Sequence, residues 1–156
     1  MRSSFFLLAL VSSVVPACAD DGGEEPVDCV KETSDDELLI GFSRPGENGL
    51  YTFTFTSLSP SPPVRLLNEW TLSIMSTSSP AAPLAMTETL AMTPYMPAHG
   101  HGAGVDVDIS PMPTAGEFKF STINLHMPGI WDVTVEVDPG AGSSYDKVVF
   151  KPCIPE

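Results

Sequence analysis

The chain has 156 residues, with seven Lys and Arg against 20 Asp and Glu, a formal net charge of −13. The sign of this charge argues against a nucleic-acid partner recognised through its phosphates, because those contacts need basic side chains. The length suits a single domain once the N-terminal segments described next are set aside.

Arg2 gives the chain a positive start, Phe5 to Val15 form an uncharged apolar run, and Val15-Pro16-Ala17-Cys18 follows with small residues before the cysteine. The run is about half of the roughly 20 residues that span a bilayer, so it reads as a cleaved signal peptide over 1–17. Its end resembles a bacterial lipoprotein signal, in which the cysteine after the cut receives lipid; this predicts a mature chain starting at Cys18 and anchored to a membrane of the bacterial cell envelope. Ala17-Cys18-Ala19 also reads as an ordinary small-x-small site, and a cut after Ala19 would release a soluble protein.

Residues 18–37 contain nine acidic side chains around the single cation Lys31, with Gly22, Gly23 and Pro26 among them, which predicts a solvated acidic tether. The chain has three cysteines, an odd number for an oxidising compartment. Lipidation of Cys18 leaves Cys29 and Cys153, one before the first strand and one after the last, and predicts a disulfide between them. The alternative is two free or metal-binding thiols.

From Leu38 to Glu156 the apolar period is two, with turn residues at short intervals, which predicts an all-β domain. Eight strands are expected. Leu38 to Phe42 comes first, closed by Arg44-Pro45-Gly46; Tyr51, Phe53 and Phe55 alternate with threonines; Trp70, Leu72 and Ile74 form the third after a Pro-rich connection. Leu84 to Met92 continues the pattern, and Val105, Val107 and Ile109 alternate with Asp106, Asp108 and Ser110. Phe118 and Phe120 share a parity that Ile123 and Leu125 break, which predicts a bulge near Ser121-Thr122. Trp131, Val133, Val135 and Val137 form the seventh strand and Tyr145 to Lys151 the eighth. Short strands at regular spacing fit an immunoglobulin-like β-sandwich of seven to eight strands. Strict reversal would place the connections at 58–68, 93–104 and 126–129 at one end of the sandwich, with Cys29 and Cys153.

All three histidines fall in two of those connections, in Met96-Pro97-Ala98-His99-Gly100-His101-Gly102 and His126-Met127-Pro128-Gly129. Imidazole suits copper and zinc, whereas thioether sulfur selects copper, above all Cu(I). Met96, His99, His101, His126 and Met127 are therefore the candidate ligands, with Met92 and Met112 peripheral. The competing reading makes the methionines core or plug residues and leaves His99 and His101 solvated. Trp70 and Trp131 open alternating apolar faces and read as core.

At these residues the sequence resembles the YtkA-like family, related to FixH-type proteins. The resemblance runs over roughly 49–151 and rests on Met-Pro-Ala-His-Gly-His-Gly at 96–102, Gly116-Glu117-Phe118, and Met127-Pro128-Gly129-Ile130-Trp131 with the Val-rich strand after it. It implies an exported or membrane-anchored β-sandwich with an envelope role; FixH-type members are linked to copper supply for respiratory oxidases. The expected function is a lipid-anchored copper-binding or copper-handling module, exchanging copper with envelope proteins. A non-metal, protein-binding envelope module is the alternative. Catalysis is not expected, since no nucleophile elbow is present and Asp106 and Asp108 lie on the polar face of a strand.

Overall fold

The computed structural model describes Cys29 and residues 36–86, 88–138 and 144–156. The expected signal peptide, the expected lipidation site Cys18 and most of the expected acidic tether lie outside the described residues. Within them the chain is an all-β sandwich. The strands are β1 (Ser43–Pro45), β2 (Tyr51–Ser59), β3 (Leu66–Ser76), β4 (Leu90–Met96), β5 (His101–Gly102), β6 (Asp108–Pro111), β7 (Glu117–Leu125), β8 (Gly129–Ile130), β9 (Asp132–Val137), β10 (Asp146–Phe150) and β11 (Cys153–Ile154).

One sheet has the order β1-β2-β3-β7-β6, the second the order β10-β9-β4-β5, and β8 pairs with β11 as a short third ribbon. All pairings are antiparallel. With β1 set aside, β2-β3-β7-β6 and β10-β9-β4 reproduce the two sheets of the immunoglobulin arrangement. The alternating side chains of the two inner faces meet as one core. Phe53, Phe55, Trp70, Leu72, Ile74 and Phe120 enter it from the first sheet, and Val133, Val135, Val137 and Phe150 from the second. Phe55 packs edge-on against Trp70 and Phe150, at centroid distances of 5.6 and 4.7 Å.

The bulge falls where the change of parity puts it. Asn68 pairs with Ile123 and Trp70 with Phe120, so Ser121 and Thr122 stand opposite Glu69 alone. Thr122 takes a φ of 62°. The extra residue flips the parity, so that Phe118, Phe120, Ile123 and Leu125 all face inward.

Four strand expectations shift. Leu38 to Phe42 is not a strand: Leu38 is buried but Leu39 and Ile40 are exposed, and the first strand is Ser43–Pro45, which takes in Arg44 and Pro45 from the turn expected to end it. Arg44 is held there by a two-pronged pair with Asp36 at 2.7 and 2.9 Å and lies over the rings of Phe42 and Phe150. Asp36 therefore belongs to the domain rather than to the tether. The fourth strand begins at Leu90 instead of Leu84, because Leu84 reaches the core from a connection tied by its N–H to the Ile74 carbonyl. That strand runs on through Pro94 to Met96, which the sequence placed in a loop. The proline is tolerated because β5 reaches only Tyr95 and Met96, which leaves β4 with an open edge at Pro94. Finally, Val105 is exposed and the half-buried strand expected from it starts only at Asp108.

The disulfide joins Cys29 to Cys153. Cys153 pairs with Ile130, next to the 126–129 connection, and Trp131 donates its N–H to the Pro152 carbonyl at 3.0 Å. The pairing of Leu66 with Leu125 brings the β2–β3 connection to the same end.

Candidate functional site

The end of the sandwich that holds the disulfide also gathers the histidines. Residues opposed across an antiparallel pair present their side chains on one face of the sheet. Met96 on β4 opposes His101 on β5, so the imidazole and the thioether share the inner face. His126 follows the last residue of β7, and its ring stacks on that of His101 at 5.2 Å and 20°. The His99 ring lies 5.8 Å from that of His101. Three imidazoles from two segments distant in sequence thus form a contiguous row.

Trp131 is the wall behind them. Its ring is fully buried and meets those of His126 and His101 edge-on, at 5.4 and 6.2 Å. Its indole Nε1 donates to the Met127 carbonyl at 3.0 Å, which fixes the turn carrying His126 and Met127. On the other connection, the N–H groups of His99 and Gly100 both donate to the Met96 carbonyl. Gly100 takes a φ of 69°, a conformation that side chains disfavour, and this closes the tight turn between β4 and β5.

The ring nitrogens differ in what they face. His101 Nδ1 lies 3.0 Å from the Gly102 carbonyl. A carbonyl only accepts, so Nδ1 carries the proton and the lone pair of the neutral ring sits on Nε2. Metal-binding histidines are commonly oriented by such a bond from the other nitrogen. His126 Nδ1 is buried and has no hydrogen-bond partner among the described residues. Leaving such an atom unmade costs about 1–3 kcal/mol, which a ligand at that nitrogen would recover.

Of the sequence-stated ligands, His99 is exposed, while His101, His126 and Met127 are half-buried at the rim. Met96 is 2% exposed and forms part of the core beneath them. Met92 is likewise a core residue, four positions further down β4. Met112 is not brought in at all: it sits in the turn between β6 and β7, at the opposite end of the sandwich. Among the described residues no three His, Cys, Asp or Glu side chains stand in a ready-made metal-holding arrangement. The arrangement present is a row of imidazoles at the rim, with one thioether beside it and one below.

The sequence reading missed the Asn68 clasp that shapes the neighbouring connection. Asn68, only 2% exposed, accepts from Val64 N–H and donates to the carbonyls of Val64 and Leu66. An asparagine at the inward-facing start of an apolar strand was the available signal.

No protein-family model matches the chain, and no match was found among curated proteins or solved structures.

Proposed function

We propose that this chain is an exported, lipid-anchored envelope module that binds copper at the His99, His101 and His126 row, with Met127 and Met96 supplying thioether sulfur. The observation that carries the reading is the buried, unpartnered Nδ1 of His126 in a ring stacked on His101, whose own Nδ1 is tied to a carbonyl. Two nitrogen lone pairs on adjoining rings, with soft sulfur near them, make a donor set that favours copper over zinc and Cu(I) over Cu(II). Copper bound there would supply a soft, redox-active centre; the chain's own part is to hold the imidazoles against Trp131 and keep the floor apolar. The MPAHGHG and MPGIW motifs, with their resemblance to the YtkA-like family, support an envelope role. The lipoprotein-like end of the signal segment supports attachment through Cys18.

The test is titration of the chain from Cys18 onward with Cu(I), under a competing chelator, and with Cu(II). Binding tighter than micromolar, weakened when His101 and His126 are replaced by Ala, is expected. Cu(II) should also quench Trp131 emission, since that indole touches both rings. Binding unchanged by the double replacement, or none tighter than micromolar, would overturn the reading in favour of a non-metal interaction module.

A further inference from the structure

Beside the histidine row the end of the β2–β3 connection and the first residues of β3 carry an exposed apolar finger. Val64, Leu66 and Leu67 are 38%, 58% and 63% exposed. Leu66 takes a φ of 73°, in the left-handed region that a bulky side chain rarely occupies. Strain of this kind persists only where the surroundings over-determine it. Here they do: the three hydrogen bonds of the buried Asn68 side chain grip Val64 and Leu66 from below. The fold thus holds bulky apolar side chains outward in a fixed, unfavourable conformation, where a polar turn would cost less.

The position of the finger selects its occupant. Leu66 and Leu67 pair with Leu125 and Asn124, directly before His126, so the finger stands at the end of the sandwich where Cys153 pairs with Ile130. Through the disulfide, the chain before Cys29 joins the domain at that same end. Cys18 lies eleven positions before Cys29, which allows a reach of at most about 36–40 Å at 3.3–3.6 Å per residue. A lipid on Cys18 therefore ties the domain to a bilayer by its histidine end.

Resting on the lipid-anchored reading above, we infer that Val64, Leu66 and Leu67 form a bilayer-contacting finger, which seats the domain with its histidine row turned toward the membrane surface. Acyl chains anchor best with a second apolar or basic element, and the finger, with Arg65 in its centre, supplies one. Copper would then be exchanged at the lipid face rather than toward open solvent.

Cys18 is the one cysteine outside the disulfide, so the mature chain can be coupled through its thiol to a maleimide lipid in phosphatidylethanolamine/phosphatidylglycerol vesicles with brominated acyl chains. Trp70 and Trp131 are fully buried, so an added tryptophan reports separately. Leu67→Trp should lose most of its added emission to the bromines, and Leu50→Trp, at the opposite end, should lose little. Leu66→Asn, which suits a positive φ, should raise Tm by about 2–6 °C by relieving strain while weakening the quenching of Leu67→Trp. Equal quenching at positions 50 and 67, no quenching at 67, quenching unchanged by Leu66→Asn, or vesicle-free self-association through the finger would each overturn the inference. Mass analysis of the chain recovered from cell membranes tests the native lipid separately, so failure of the anchor and failure of the finger are distinguishable.

Discussion

The two ends of this sandwich solve the same problem in opposite ways. At the end away from the disulfide, the turn between β1 and β2 is closed by the carboxylate of Asp146, buried at the start of β10. It accepts backbone N–H groups from Asn48, Leu50, Tyr51 and Lys147 at 2.8–3.0 Å. Thr77 Oγ1 and Asn48 Nδ2 satisfy the Gly49 and Tyr145 carbonyls nearby. Both ends carry an exposed apolar side chain and a non-glycine residue at positive φ, Leu66 at one and Met86 and Asp138 at the other, but the histidine end also keeps a buried imidazole nitrogen unpartnered among the described residues. One end is tied by a buried carboxylate; the other keeps a ring nitrogen that a ligand would complete.

The largest expected effects test whether the ends are separable. Replacing Cys29 and Cys153 by Ser opens a loop spanning 124 residues in sequence, which should cost roughly 4–5 kcal/mol on the chain-entropy account. Because Cys153 and Pro152 hold Ile130 and Trp131, the same change should also weaken copper binding. Asp146→Ala strands several buried N–H groups and should cost about 3 kcal/mol in chemical denaturation, with copper affinity unaltered below the transition. Gly46→Ala probes the same clasp, since a Cβ at Gly46 would clash with the Asp146 carboxylate. An Asp146 variant that lost copper as readily as the cysteine variant would break the division between the ends.

Next in size is the site itself. His126→Ala should lower copper affinity by at least the 10–100-fold typical of losing even an outer-shell partner. It should leave thermal stability nearly unchanged or slightly raised, because it removes a buried nitrogen that has no partner. A clear loss of stability with copper affinity intact would recast His126 as a packing residue and make the two ends alike.

How much of this was legible in the sequence follows from which forces act locally. The period of two in Trp131–Val137 and the parity break after Phe120 are consequences of one face being buried, so the strand and the bulge could both be read. The gathering of the three histidines at the disulfide end followed from antiparallel reversal. Strand edges were harder to read. Pro94 looked like a loop residue because its fitness for β4 depends on how far β5 extends, a fact of tertiary pairing. Met96 read as a loop residue at the rim, yet its parity with Met92 and Pro94 on β4 turns it inward, beneath the histidines. The Asp146 clasp was invisible, and the Asn68 clasp was hinted at only by an asparagine at an inward-facing position, because each joins a side chain to backbone amides whose position only the fold defines.

The smallest expected effect returns to the finished end. Burial first, and then the charges of Glu88, Asp138 and Asp146, hold the Tyr51 phenol above its ordinary value of 10.0. The folded chain therefore keeps this proton over a range in which the unfolded chain has released it, so the contribution is complete below pH 10 and is lost as pH rises beyond it. Tyr51→Phe removes the group from both states. It should change stability at neutral pH by less than about 0.5 kcal/mol, as ordinary surface substitutions do, and make the alkaline decline shallower in denaturation curves taken from pH 8 to 11. Tyr145 is also raised, by burial and by the hydrogen bond its hydroxyl donates to Glu136 at 3.1 Å. If the decline persists in Tyr51→Phe and disappears in Tyr145→Phe, the acidic surroundings of the Asp146 turn do not govern it, and that turn is closed by its hydrogen bonds alone.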